Sequence, residues 1–155
     1  MIHKEYIKKK NNQNENEKIL FHGTDENNIN LICQNGFNRS YCGKNGFLIH
    51  NLFLKTLAKF SNFYTKGIAY GQGVYFALNS AYSNGYVRNS TSLKKKMFRC
   101  KVLVGSCAIG NSAMKVPPNN ISNGQQYDST GDQGGSVFVC YHDNQCYPEY
   151  LISYH

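Results

Sequence analysis

An α+β domain with mainly antiparallel strands is the fold class this sequence predicts, and three observations predict it. Short stretches rich in β-branched and aromatic residues recur between turn residues, as in Val74-Tyr75-Phe76-Ala77 and Val137-Phe138-Val139-Cys140-Tyr141. Helical periodicity is confined to a few segments, and strands do not alternate with helices as a parallel βαβ sheet requires. The chain has 155 residues, which suits one domain around one core. Gly71-x-Gly73 stands alone and does not make a dinucleotide-binding fingerprint.

The elements follow in chain order. Residues 1–18 read as a basic, polar tail or helix remnant, with residues 6–10 as a last helical turn whose lysines suit the carbonyl end of a helix. Ile19-Leu20-Phe21-His22-Gly23 is a short strand that stops at a glycine. Residues 26–33 carry Ile29, Ile32 and Cys33 at helical spacing, and Asn35-Gly36 ends that helix. A loop rich in Gly, Asn and Ser covers 37–46, and residues 47–64 are apolar around most of a helical circumference. A glycine-rich approach at 67–73 leads into a strand at 74–77, and residues 80–86 form a short helix or turn. Lys94-Lys95-Lys96 reads as a loop tip, followed by an alternating strand at 98–104. A long loop is expected at 117–135, then two last strands at 137–141 and 150–154.

Charge narrows the chemistry. There are 17 Lys and Arg against 9 Asp and Glu, a net charge of +8. Between Glu26 and Asp128 the chain has twelve basic residues and no carboxylate side chain. Paired-carboxylate hydrolysis and carboxylate-rich metal sites would have to draw their acids from the two ends. The basic middle favours an anionic partner: a nucleic acid, an acidic membrane or a phosphorylated small molecule. No RNA-recognition, zinc-finger or helix-turn-helix signature accompanies it, so no specific nucleic acid is expected. Cys33, Cys42, Cys100, Cys107, Cys140 and Cys146 show no C-x-x-C spacing and no zinc pattern, which predicts free thiols and no metal. The first residues lack the apolar core of a signal peptide, and no apolar run is long enough to span a membrane. An intracellular protein, nuclear or cytoplasmic, is the expectation, and a monomer.

Four blocks carry more information in their order. They are Leu20-Phe21-His22-Gly23-Thr24, Gly71-Gln72-Gly73-Val74-Tyr75-Phe76-Ala77, Tyr82-Ser83-Asn84-Gly85-Tyr86 and Tyr147-Pro148-Glu149-Tyr150-Leu151-Ile152. Gly36-Phe37-Asn38-Arg39-Ser40-Tyr41, Lys101-Val102-Leu103-Val104-Gly105 and Tyr127-Asp128-Ser129 fill the intervals. Together they resemble the catalytic domain of the poly(ADP-ribose) polymerase family, closest to its macrodomain-bearing mono-ADP-ribosyltransferases. The resemblance implies an ADP-ribosyltransferase fold: two packed, mainly antiparallel sheets with short helices around an NAD cleft. It implies a catalytic domain over 19–155, short at its N-terminus, with an insertion at about 47–68.

The implied chemistry cleaves the nicotinamide–ribose bond of NAD, used as a co-substrate. The nicotinamide amide must be held, its ring stacked and the ribose oriented. By resemblance Gly23 offers backbone N–H and C=O to the amide, where a missing Cβ permits close approach. Ser83 adds a hydroxyl, Tyr86 stacks on the ring, and Tyr75 forms the other wall. His22 hydrogen-bonds a ribose hydroxyl, Thr24 completes the first block, and Arg39 and Lys44 face the pyrophosphate. Taken singly, a His-Gly after a strand is ordinary turn chemistry and a Tyr between Val and Phe is ordinary core; the ordered context reverses both readings.

Three departures matter. Polymer-forming members begin the penultimate strand with Glu-Tyr, but here the glutamate position is Val137. Valine cannot accept a hydrogen bond from the ribose or activate an incoming sugar hydroxyl, so chain elongation should be lost. Glu149 belongs to a later block and is expected to be structural. The insertion at 47–68 admits three readings: a lid over the donor pocket, a membrane-surface or partner helix, or a translated intron. The family's first strand and helix lack counterparts ahead of residue 6. The expected function is therefore transfer of one ADP-ribose from NAD to a protein acceptor, with a catalytically weak or inactive NAD- or ADP-ribose-binding scaffold as the alternative.

Overall fold

The computed structural model describes residues 2–41, 68–88 and 94–155. The insertion at 47–68 lies almost wholly outside them, as do Cys42 and Lys44.

Helix α1 (Ile2–Lys10) is mostly polar and buries Ile7 completely, while Ile2 and Tyr6 stay exposed. Lys8, Lys9 and Lys10 occupy its last turn, complementing the carbonyl end of the helix dipole. Lys10 ties the helix down: its Nζ lies 2.6 Å from Asp128 Oδ1. Asn11 Nδ2 donates to the other carboxylate oxygen at 2.7 Å, and the Ser106 amide and hydroxyl do so at 2.8 Å each. Burial works against the Asp128 anion, but Lys10, Asn11 and Ser106 outweigh it and hold its pKa below the usual carboxylate range. Of the two readings of this segment, tail or helix remnant, residues Ile2–Lys10 take the helical one, docked through Lys10.

Strand β1 (Glu17–Gly23) precedes α2 (Glu26–Asn35). Asp25 caps α2 through its carboxylate and the Asn27 amide, and Gly36 closes it with an N–H to the Ile32 carbonyl. Strand β2 (Val74–Ala77) leads to α3 (Ser80–Asn84), capped by Asn79. Then come β3 (Lys95–Leu103), β4 (Cys107–Ile109), β5 (Ser129–Gly131), β6 (Val137–Cys140) and β7 (Cys146–Tyr154).

These strands form one sheet in the order β4-β5-β6-β2-β1-β3-β7, with a single parallel neighbour pair, β4–β5. Where the resemblance implies two packed sheets, the described strands join in one ladder. The joint between its halves is one residue pair, Phe21 with Ala77. On either side the ladders are longer: β1–β3 pairs from Glu17 to Gly23, and β2–β6 from Val74 to Ala77.

Four local expectations are corrected. Lys95 and Lys96 are not a loop tip; they begin β3 by pairing with Tyr154 and Ser153. Strand β4 was not foreseen, and the expected 117–135 loop contains β5, whose buried Ser129, Thr130 and Gly131 carry no apolar signal. Strand β7 starts at Cys146 rather than residue 150: Pro148 pairs with Cys100 on this edge strand, and a bulge opposite Arg99 and Cys100 takes up Glu149.

The core lies on one face. Leu20, Cys100, Phe98, Val102, Phe76 and Phe138 alternate onto it, and Ile29 of α2 and Phe37 cover it. No helix among the described residues is long and apolar enough to cross a membrane.

Candidate active site

The end of β1 carries the first candidate group. The His22 ring meets the edge of Phe37, with centroids 4.9 Å apart, and tilts against Phe76 at 5.5 Å. Its Nδ1 lies 2.8 Å from the Tyr75 carbonyl oxygen. A carbonyl only accepts, so Nδ1 carries the proton and Nε2 is the acceptor. Burial lowers the His22 pKa, and the Tyr75 hydrogen bond opposes this without cancelling it. His22 is therefore a neutral acceptor, oriented by backbone.

Register assigns the neighbours to faces. Phe21 pairs with Ala77, and Ala77 pairs in turn with Val137. Tyr75 pairs with Val139. With a period of two, Gly23, Tyr75 and Val137 share the face opposite the Phe76–Phe138 core, while His22 ends the core-facing row. The His22–Tyr75 bond links the faces beyond the Phe21–Ala77 pair.

Gly23 is packed against α3. A Cβ there would fall 1.8 Å from the Ser83 carbonyl oxygen, so only glycine permits this approach. Ser83 is buried and its hydroxyl donates to the Phe21 carbonyl at 2.9 Å. The Tyr86 amide donates to the Ser83 carbonyl at 3.0 Å, which sets Tyr86 one turn beyond. The Tyr82 and Tyr86 rings are 5.6 Å apart, and their hydroxyls are 3.3 Å apart. Tyr86 remains 36% exposed.

The Tyr75 hydroxyl is fully engaged. It donates to the Gly71 carbonyl at 2.8 Å and accepts from the Tyr70 amide at 2.9 Å. Burial raises its pKa further above neutrality. Tyr75 therefore offers a ring wall rather than a proton.

Other candidates sit differently. Thr24 is 2% exposed, and its hydroxyl accepts from Asn28 of α2 at 3.2 Å, so the side chain braces the fold. Arg39 donates from Nη1 to the Tyr141 carbonyl at 2.9 Å and from Nη2 to the Lys115 carbonyl at 3.4 Å. Two of its N–H groups are thereby used, and a guanidinium has about five. Val137 is buried at 3% exposure, and its amide donates to Asp132 Oδ1 at 2.8 Å. Glu149 lies on β7, separated from β1 by β3. It is held by Arg99 and by Lys101, the latter at 2.7 Å, and Lys101 in particular lowers its pKa.

Tyr70, Tyr82, Thr130 and Tyr141 surround this arrangement without having been singled out from sequence. The i,i+4 spacing of Tyr82 and Tyr86 was a signal available for one of them. Among the described residues no group of three or more His, Cys, Asp or Glu side chains could hold a metal ion.

A neutral, backbone-oriented histidine, a glycine packed against a serine and a partly exposed tyrosine thus lie together at the end of β1. A family model of the poly(ADP-ribose) polymerase catalytic domain matches residues 2–114. The human protein mono-ADP-ribosyltransferase PARP14 is 39% identical over 151 residues, covering 94% of this chain and 7% of that protein. The mouse protein mono-ADP-ribosyltransferase PARP10 is 35% identical over 158 residues, covering 98% of this chain and 14% of that protein. A probable poly [ADP-ribose] polymerase of Dictyostelium discoideum is 38% identical over 142 residues, covering 89% of this chain and 34% of that protein. The chain belongs to the poly(ADP-ribose) polymerase catalytic-domain family. It spans 34% or less of the length of these three relatives.

Proposed function

We propose that this domain transfers a single ADP-ribose from NAD to a protein acceptor and releases nicotinamide. One observation carries the reading: His22, Gly23, Tyr75, Ser83 and Tyr86 lie where β1, β2 and α3 meet, and Val137 of β6 shares the sheet face of Gly23 and Tyr75. In this reading His22 Nε2 accepts from a ribose hydroxyl. The nicotinamide amide lies against Gly23 and Ser83, with its ring between Tyr86 and Tyr75. The free N–H groups of Arg39 serve the pyrophosphate, and Thr24 supports the His22-Gly23 turn. The halves of the sheet, joined only at Phe21 and Ala77, act as the two walls of the cleft. Residues 19–155 are the catalytic body, with α1 docked on it.

The reaction balances without a base at position 137. The ribose C1′–nitrogen bond breaks, and its electron pair returns to the nicotinamide ring as a neutral leaving group. The sugar carbon becomes oxocarbenium-like, and an acceptor nucleophile bonds to it. A carboxylate acceptor is already deprotonated at neutral pH and gives up no proton. A sugar hydroxyl must lose one, and Val137 cannot take it. The product is a mono- rather than a poly-ADP-ribosylated protein.

Incubation with NAD labelled in the adenylate part, together with an acceptor protein extract, tests this. Nicotinamide release with one ADP-ribose per modified side chain is expected. NAD binding with no nicotinamide release would leave a ligand-binding scaffold instead, and ladders of polymer would refute the role given to Val137.

A further inference from the structure

Behind the donor wall, two buried hydroxyls clamp the turn that holds Tyr75. Thr130 is 0% exposed and Tyr141 is 1% exposed. Register already brings them together, since Tyr75 pairs with Val139 and Val139 with Thr130, and Tyr141 follows Val139 by two residues. All four therefore share one face.

The protons can be assigned. Thr130 Oγ1 lies 2.6 Å from the Tyr70 carbonyl oxygen, which can only accept, so the single threonine proton goes there. The Tyr141 hydroxyl is 2.7 Å from the same Oγ1 and must then be the donor. On the other side, the Tyr70 amide donates to the Tyr75 hydroxyl at 2.9 Å, and that hydroxyl donates to the Gly71 carbonyl at 2.8 Å. Tyr70 is thus held at both its carbonyl and its amide. Gly71, at φ +135°, makes the turn; a Cβ there would lie 1.8 Å from the Tyr141 hydroxyl. The ring angle of Tyr75 is set through this relay, because its only polar atom is anchored to the turn that Thr130 and Tyr141 fix.

We propose that Thr130 and Tyr141 are positioning residues for the donor site, holding Tyr75 in the orientation that receives the nicotinamide end of NAD. This rests on the proposed function and extends it to two side chains that touch no ligand. Alone, either hydroxyl is a satisfied buried group. The relay gives the pair a property that a structural role lacks: Tyr141 acts through Thr130, so their effects on NAD must not multiply.

Equilibrium NAD binding and steady-state nicotinamide release are measured for the full chain and for Thr130→Val, Tyr141→Phe, the double variant and Thr130→Ser, all well below each melting temperature. Thr130→Val should weaken NAD binding, and raise KM where turnover occurs, by about tenfold, the scale of one buried hydrogen bond. Tyr141→Phe should have a smaller effect, the double variant should match Thr130→Val within about twofold, and Thr130→Ser should restore binding. NAD affinities within twofold of wild type despite lowered melting temperatures would overturn the proposal, as would losses that multiply in the double variant. A wild type that binds NAD without turnover ends the enzyme reading, while the binding series still decides this one. A wild type that does not bind NAD ends both.

Discussion

Replacing Gly23 by alanine should break the donor site at its tightest point. The new Cβ would lie 1.8 Å from the Ser83 carbonyl oxygen, 2.7 Å from its carbon and 3.3 Å from Val87 Cγ2. Even a tight contact of about 3.0 Å requires β1 and α3 to part by roughly 1.2 Å. The obstacle is backbone, so no side-chain rotation relieves it. Parting them stretches the Ser83 hydroxyl bond to Phe21, now 2.9 Å, beyond hydrogen-bonding range. Overpacking of about 1–3 kcal/mol and one lost buried hydrogen bond of about 1 kcal/mol give roughly 2–4 kcal/mol. For a chain of 155 residues that lowers the melting temperature by about 5–15 °C. The same movement carries Ser83 and Tyr86 away from the Gly23 backbone, so NAD affinity should fall more than about tenfold at a temperature where the variant is folded. Differential scanning fluorimetry and equilibrium NAD titration measure the two effects. A variant with wild-type melting temperature and wild-type NAD affinity would refute both the contact and the role given to it.

Three further outcomes are expected. His22→Ala should weaken NAD binding about tenfold or more, the cost of losing an oriented acceptor. The same ring makes wild-type binding pH-dependent. Burial lowers the folded-state pKa of His22, so its stabilising contribution is complete above the usual histidine value and is lost as pH falls through the lowered one. NAD affinity should decline over that acidic window in wild type, and a profile unchanged by His22→Ala would contradict the assignment. Glu149→Gln should leave the rate of nicotinamide release within about twofold of wild type, because Glu149 pairs with Arg99 and Lys101 across β3 and β7; complete loss of release in a folded variant would place the reacting carboxylate there after all. Asp128→Asn should strip Lys10 of its buried counter-ion and destabilise the fold by about 3 kcal/mol in urea titrations. In wild type the Asp128 contribution is present above the usual carboxylate pKa and fades as pH falls through the lowered value, so the gap between the two proteins should close in acid.

Much was legible in the chain itself. Runs of β-branched and aromatic residues marked β2 and β6, and a period of two marked most of β3. The Asn35-Gly36 pair marked the end of α2 because capping chemistry is local. Strand β5 escaped because its Ser129, Thr130 and Gly131 are buried by their neighbours rather than by hydrophobicity. Tyr141 looked like one more strand aromatic, because a hydroxyl's partner eleven residues away cannot be read from spacing.

The sequence by itself determined which functional groups are present and in what order: His22-Gly23, Tyr75, Ser83 and Tyr86, then Val137. Those follow from side-chain identity, which folding does not alter. The tertiary structure decided how they stand to one another. It put Gly23, Tyr75 and Val137 on one face, and His22 on the other, neutral and aimed by the Tyr75 carbonyl. It closed Lys10 of α1 and the Arg39 side chain onto carboxylate and carbonyl partners that are remote in sequence. Both results depend on strand register and on burial, which arise only when distant segments exclude water from one another.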